Sequence, residues 1–383
     1  MREVIDQLPG SQIREVANAG LGRTDVLPFW FGESDEPTPD FIRDAAMRSL
    51  AEGEFFYAHN LGLPALRQAL AAYVSALHRP VGADRIAVTS SGVSALMLAM
   101  QALAGAGDEV VVVVPVWPNL TAQPAILGAV VKRVSLVVHA GAWRLDMTAL
   151  LAAVTPKTRV LVINAPNNPT GWTLTRSEQQ TILEHCRATG TWIVADEVYE
   201  RVYFASGASC APSFLDLAEA DDRLVVAHSF SKSFLMTGWR FGWLVFPPVL
   251  LAAIGKLIEF NTSCAPTFVQ RAGLAALDGA ADFVPALVGR LKTCRDTLLP
   301  ALAALNGVQV ATPEGGMYAF FRVDGQSDSL RFAKRLVTEA GLGLAPGAAF
   351  GDEAEGWLRW CFASRDPQRL VQGVERLRSC LGL

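Results

Sequence analysis

Apolar residues recur along the chain in two rhythms, one at helical spacing and one continuous over short runs. From Asp40, Ile42, Ala45, Ala46 and Leu50 fall on one face of a predicted helix, and after Pro64 the series Leu66, Leu70, Tyr73 and Leu77 predicts another. Seven short, largely β-branched runs then alternate with longer helical segments: Ile86–Thr89, Val110–Val114, Val130–Leu136, Val160–Ile163, Thr191–Ala195, Leu224–Ala227 and Gly242–Phe246. Most are apolar on both faces, as strands covered by helices on each side should be. The alternation predicts an α/β fold whose core is a mainly parallel seven-stranded sheet with right-handed crossovers.

Beyond Pro266 a long helical stretch is predicted through Leu287, Leu291 and Leu298 toward Asn306-Gly307. Tyr318–Val323 and Trp357–Phe362, with helices at Ser329–Ala340 and Pro367–Cys380, read as a smaller α+β layer. Residues 1–39 carry turn formers, Pro9-Gly10-Ser11 and Pro37-Thr38-Pro39, rather than a compact unit. The expected division is a large domain of residues 40–285 and a small domain built from 1–39 and 286–383.

Composition narrows the partners. The chain of 383 residues is 51% apolar and only 18% charged, enough to fill a sizeable core and too apolar for a disordered chain. A net charge of −4 with no basic block argues against nucleic acid. The uncharged stretch Val110–Val131 is long enough to span a bilayer, but it holds Pro115, Pro118 and Pro124 with Asn119, Thr121 and Gln123, which argues against a membrane. Met1-Arg2-Glu3 opens no apolar run, so no signal peptide and a cytoplasmic location are expected. The cysteines form no C-x-x-C pair and the histidines no H-x-x-x-H pair, so no metal site is expected; His185 reads as helix surface. There is no G-x-S-x-G and no Walker loop, and Gly341, Gly343 and Gly347, interrupted by Pro346, read as a turn.

In a parallel sheet the carboxyl ends of the strands share one edge, where ligands bind. After Ile86–Thr89 come Ser90, Ser91 and Gly92, then a helix with Leu96, Met97 and Met100 inward. Small residues at a helix start present free N–H groups to an anion, although an ordinary helix cap would read the same. After Val110–Val114, Trp117 stands in a proline-rich loop, either a flat platform for an aromatic ring or core filler. Asn164 to Gly171, with Asn167 and Asn168, is a loop whose amides can donate to a ligand oxygen. Asp196, Glu197 and Tyr199 follow the fifth run, and a carboxylate there is costly unless a cation meets it. His228-Ser229-Phe230-Ser231-Lys232 follows the sixth, with Arg240 beyond; burial of Lys232 between apolar stretches would favour the neutral amine that condenses with an aldehyde. Together the ends supply an anion seat, a flat aromatic, an amide, a carboxylate and a lysine. They suit one ligand carrying a phosphate, an aromatic ring with a basic nitrogen, a phenolic oxygen and an aldehyde.

At this point the chain resembles the pyridoxal-phosphate-dependent aminotransferases of fold type I, the class I/II group that includes the aspartate and aromatic aminotransferases. Gly32-Glu33-Ser34-Asp35-Glu36-Pro37-Thr38-Pro39 is similar to the family's opening motif, with Ser34 where proline is usual. Tyr57-Ala58-His59-Asn60-Leu61-Gly62 with Leu66-Arg67, Asn168-Pro169-Thr170-Gly171, Asp196-Glu197-Val198-Tyr199, Ser229 to Lys232, Gly238-Trp239-Arg240-Phe241-Gly242, Pro346-Gly347, Phe350-Gly351 and Arg359 follow in the family's order. The resemblance implies pyridoxal phosphate as cofactor and the following roles. Lys232 matches the lysine that bonds the cofactor and then moves the proton at the substrate's Cα. Asp196 matches the carboxylate facing the pyridine nitrogen. Tyr199 and Asn168 match the pair on the phenolic oxygen, and Trp117 the stacked aromatic. Ser91, Gly92, Val93, Ser229 and Arg240 would hold the phosphate, together with Tyr57 from the neighbouring subunit of a homodimer; Ser263 is a further candidate for reaching across. Arg359 matches the arginine that grips the substrate α-carboxylate, with Gly32 nearby.

The implied activity is transfer of an amino group from an α-amino acid to a 2-oxo acid by a ping-pong mechanism. A β-lyase acting on a sulfur amino acid remains the alternative, since the same scaffold supports it. A transcriptional sensor of this fold would need a DNA-binding segment longer than the residues ahead of Gly32, and a nicotinamide dehydrogenase would need the absent glycine fingerprint. Some acid-specific relatives similar to this chain place a lysine where Val93 stands. With Ile13, Phe29, Trp30, Trp117 and Phe350 as expected neighbours, a neutral, bulky or aromatic donor is the expectation. Arg43, Arg67 and Arg271 read as helix-surface charges, and Met97, Met100 and Phe234 as core.

Overall fold

The computed structural model describes residues 1–383. Its main sheet has eight strands in the order Ile86–Thr89, Gly242–Val245, Leu224–Ser229, Trp192–Asp196, Thr158–Asn164, Glu109–Val114, Val130–His139 and Ala142–Leu145. Gly242–Val245 and Ala142–Leu145 run against their neighbours, and the other six strands share one direction. All seven runs expected from the sequence are strands. The eighth, Ala142–Leu145, corrects the expected count. It has no β-branched residue, and it pairs because Ala140 and Gly141, both at positive φ, fold the chain back onto Val130–His139.

The strands alternate between two apolar layers. Val111, Val113, Leu161, Ile163, Ile193 and Ala195 face one, and Val110, Val112, Val114, Val160, Val162 and Val194 the other. Burial on both faces explains why these strands read as continuous apolar runs rather than alternating ones. The helix Gly92–Leu103, capped by the Ser91 side chain, which accepts from the Ser94 N–H at 2.9 Å, buries Leu96, Leu98, Met100 and Leu103 against the second layer.

A second, antiparallel sheet orders Val308–Ala311, Tyr318–Val323, Trp357–Cys361 and Ala345–Pro346. The N-terminal segment joins this part of the molecule because Leu27–Pro28 pairs in parallel with Leu342–Gly343. The single long helical stretch expected beyond Pro266 is two helices, Thr267–Asp278 and Ala280–Ala303, at 79° to one another. Gly279 stands at the bend, where a Cβ would lie 2.7 Å from the exposed Phe41 ring and would push that ring aside. The expected division at residue 285 falls within Ala280–Ala303. No single helix is long and apolar enough to cross a membrane.

Arg67 departs from its expected place on a helix surface. It is half-buried and donates to the carbonyls of Ile86 at 2.9 Å and Ala83 at 2.6 Å, tying its helix to the start of the first strand of the sheet. Arg43 is exposed, and Arg271 forms an ion pair with Glu54.

Candidate active site

Strand register brings the site together. Asn164 lies beside Asp196, Asp196 beside Ala227, and Ser229 beside Gly242, so the carboxyl ends of three neighbouring parallel strands carry Asn164, Asp196 and Ser229 in one row. Over this edge opens a cavity of about 400 Å³ whose walls include Gly32, Gly92, Val93, Trp117, Asn168, Asp196, Tyr199, Ser229, Lys232, Arg240 and Arg359. The last of these arrives from the antiparallel sheet, and Gly32 from the N-terminal segment.

Lys232 sits in the one-turn helix Phe230–Ser233 after the strand ending at Ser229, and its Nζ donates to the Gly32 carbonyl at 2.6 Å. Burial pushes its amine down to about 8, so a substantial neutral fraction is present near neutral pH. Asp196 is buried and forms no ion pair; its Oδ1 accepts only the Val198 N–H, at 3.4 Å. Burial pushes its carboxyl up to about 7, against the smaller pull of that N–H and of Lys232. A carboxylate held this way calls for a cation in the cavity.

Arg359 presents the opposite demand. It is 2% exposed, makes no ion pair, and leaves Nε without a partner. Its Nη1 donates to Asn168 Oδ1 at 2.9 Å and its Nη2 to the Trp30 carbonyl, while the guanidinium lies 4.5 Å from the Tyr318 ring centre and 4.9 Å from that of Phe350. Asn168 is fixed in turn, its N–H donating to Asn164 Oδ1 at 2.7 Å. A buried guanidinium with two anchored nitrogens and no counter-ion is a seat for a carboxylate.

The remaining corner is shaped for an anion. The N-terminus of Gly92–Leu103 opens onto the cavity beside Ser229, and Arg240, at a positive φ of 52°, makes no ion pair. Glycine is required at Gly242, and a side chain at Gly92 would have only tight room. A Cβ on Gly92 would meet Ser229 Cβ at 3.1 Å, and one on Gly242 would lie 2.6 Å from the His228 carbonyl and 2.8 Å from the Gly92 nitrogen.

The family model for aminotransferase class I and II matches residues 24–377. The chain belongs to that family. It is 33% identical over 368 residues to the probable aspartate/prephenate aminotransferase of Aquifex aeolicus, covering 93% of this chain and 91% of that one. To aromatic-amino-acid aminotransferase 2 of Thermococcus litoralis it is 29% identical over 384 residues, 98% of this chain and 97% of that one. The crystal structure of the aspartate aminotransferase of Thermotoga maritima superposes with a TM-score of 0.92 at 31% identity, over 100% of both chains. The protein is accordingly a transaminase of amino acids.

Enzymes of this aminotransferase family depend on pyridoxal phosphate, and the residues present fit that group. The cation-seeking Asp196, the lysine with a depressed pKa, and the glycine-lined helix start beside Arg240 match its basic nitrogen, aldehyde and phosphate.

Some expected residues stand elsewhere. Ser91 is buried as the helix cap just behind Gly92. Tyr57 is 91% exposed, beside exposed Phe55 and Phe56, and lines no part of this chain's cavity. Ser263 ends the helix Leu251–Thr262 at a positive φ, also outside the cavity. Phe29 and Trp30 are corrected: Phe29 packs on Trp360 with ring centres 5.1 Å apart, and the Trp30 indole covers Gly343 and Gly20. Phe350 supports Arg359 rather than lining the cavity, whereas Ile13 and Trp117 do line it. His185 is half-buried and bonded to the Val154 carbonyl at 2.7 Å, not a bare surface residue.

Sequence reasoning missed Tyr318, Phe31, Arg14 and Thr237 in the cavity wall. Tyr318 heads a predicted strand, but only its pairing opposite Cys361, two residues from Arg359, brings it to the site. Behind the cavity lies a second cluster that sequence reading did not identify. His78 bonds Asp216 at 2.8 Å and Glu200 at 3.0 Å, and Glu200 also faces His228 at 3.4 Å. Burial opposes charge on His78, but its bonds to Asp216 and Glu200 prevail and hold the imidazole up at about 11.

Proposed function

We propose that this aminotransferase is a cytoplasmic homodimer that uses pyridoxal phosphate to move the amino group of a neutral, bulky or aromatic amino acid to a 2-oxo acid by a ping-pong route. The observation that carries the reading is a pair of buried, unpaired charges facing one cavity, the Asp196 carboxylate and the Arg359 guanidinium, with the Lys232 amine on the same wall. When bound, pyridoxal phosphate supplies an aldehyde for amine exchange and a ring that withdraws electrons from the substrate's Cα.

In this reading Lys232 holds the proton taken from Cα and returns it, a task suited to an amine whose pKa lies at about 8. Asp196 keeps a proton on the ring nitrogen by facing it with a buried negative charge. Tyr199 and Asn168 donate to the phenolic oxygen, and Trp117 covers the ring. Gly92, Val93, Ser229 and Arg240, with the partner subunit's Tyr57, hold the phosphate, and Ser91 fixes the helix start behind them; the 91% exposure of Tyr57 suits that role. Arg359 binds the α-carboxylate through its fork and Gly32 closes over it, so amine and carboxylate are held at fixed separation. The cofactor domain is residues 40–285, and residues 1–39 and 286–383 form the small domain that contributes Gly32 and Arg359.

The donor preference rests on Ile13, Phe31, Val93, Leu96 and Trp117, which make much of the wall apolar. The relatives named give the β-lyase alternative no support. The test is a set of half-reactions on one preparation, following the cofactor's absorbance with aspartate, phenylalanine, leucine and methionine. The neutral donors should react faster. An advantage for aspartate beyond roughly tenfold, about 1.4 kcal/mol in barrier, would overturn the preference and direct attention to Arg14, a cavity-lining cation that lies over the Phe31 ring.

A further inference from the structure

Tyr318 is fully buried, and its hydroxyl lies 2.5 Å from that of Tyr199. The two rings meet edge to face with centres 5.6 Å apart. The hydroxyl is held against backbone: a Cβ at Gly32 would overlap it, so only glycine leaves it room. Both tyrosines line the cavity, and neither hydroxyl bonds any other protein group.

Proton accounting then restricts what the pair can do. Two hydroxyls carry two protons, one serves the bond between them, and the other has no protein acceptor and is available to the cavity. The Arg359 guanidinium decides which. It lies 4.5 Å from the Tyr318 ring centre, nearer than the Lys232 amine, at 5.5 Å, lies to that of Tyr199, so the stronger field acts on Tyr318 and makes it the stronger proton donor of the two. Burial raises both phenols well above the ordinary tyrosine range, so both stay protonated at working pH.

We propose that Tyr318 is a positioning residue that donates its hydroxyl proton to Tyr199 and thereby commits the Tyr199 proton to the phenolic oxygen of bound pyridoxal phosphate. The inference rests on the reading of Tyr199 given above and extends it. Because Arg359 polarises Tyr318, a carboxylate arriving at Arg359 weakens that donation, so occupancy of the carboxylate seat is felt at the phenolic oxygen.

The test is a pH titration of the holoenzyme's visible absorbance, which reads the bound cofactor without turnover. A donor at the phenolic oxygen favours the deprotonated chromophore, so weakening it raises the midpoint. Tyr318→Phe should raise the midpoint by about half a unit to one unit, the worth of one hydrogen bond. Tyr199→Phe should raise it further, and the double variant should match Tyr199→Phe alone, because Tyr318 acts through Tyr199. Saturating 3-phenylpropionate, an unreactive carboxylate, should raise the wild-type midpoint more than that of Tyr318→Phe. An unchanged midpoint in Tyr318→Phe overturns the proposal, and so does a shift that adds fully to that of Tyr199→Phe. If Tyr318→Phe does not fold, Gly32→Ala displaces the same hydroxyl and should raise the midpoint too; no rise would overturn the proposal. A wild-type protein that takes up no chromophore refutes the cofactor reading first, and this inference with it.

Discussion

Replacing Asp196 by asparagine removes a charge while keeping shape and volume, and the structure gives its consequence opposite signs in the empty and loaded protein. Without cofactor, Asp196 is a buried carboxylate with one weak N–H partner, and its pKa rises from 3.8 to about 7. An acid whose folded pKa lies above its unfolded one contributes stability that is complete below the unfolded value and is lost as pH rises through the folded value. The window is therefore about 3.8 to 7, and the loss at its upper end is roughly three units at about 1.4 kcal/mol each, or at most about 4 kcal/mol. The substituted asparagine does not ionise. The apo Asp196→Asn protein should equal wild type near pH 5 or fall slightly below it, and exceed it at pH 8 by about 1–3 kcal/mol after allowance for water in the cavity. With pyridoxal phosphate bound, the ring nitrogen supplies the missing cation and the order reverses. Transamination should fall by about two to three powers of ten, the usual cost of removing one preorganised charge partner. Denaturant melts of apo and loaded protein at both pH values, beside single-turnover rates, measure every part of this. An apo variant less stable than wild type at pH 8, or a rate loss under roughly tenfold, would refute the electrostatic account.

Two further outcomes follow from the same geometry. Borohydride reduction of the yellow holoenzyme should fix the cofactor to the peptide containing Lys232, and Lys232→Ala should retain cofactor at the helix start beside Ser229 and Arg240 yet lose turnover; ordinary turnover would exclude the assignment. His78→Gln should cost about 3 kcal/mol by leaving Glu200 and Asp216 without their buried cation. His78 has a folded pKa raised from 6.5 to about 11, so its contribution is complete below 6.5 and is lost as pH climbs toward 11. The stability gap between wild type and variant should therefore be wider at pH 6 than at pH 10, and an equal gap in urea titrations would count against it.

The sequence by itself determined the layered α/β core and most of the polar edge. Valine-rich runs such as Glu109–Val114, cut short by the prolines that follow, read as strands apolar on both faces, and such strands must be covered on both. The side chains that follow such strands share one edge of a parallel sheet whatever their exact register. Asp196, Ser229, Lys232 and Asn168 were legible for that reason, and the ordered family motifs extended the reading to Arg359.

Tertiary structure decided what depends on contacts distant in sequence. Arg67 looks like a surface charge on its helix until the carbonyls of Ala83 and Ile86 are brought under it. Trp30 and Phe29 are close in sequence to Gly32, yet their rings are drawn away into packing against Gly343 and Trp360. Tyr318 reaches Tyr199 across 119 positions, through the pairing of its strand with that of Arg359. His78, Glu200 and Asp216 meet from a helix and two loops that no periodicity relates. Local pattern fixes which face of an element is apolar. Which polar atoms meet across the finished core is set by how the elements dock, and that follows only from the packing of the whole chain.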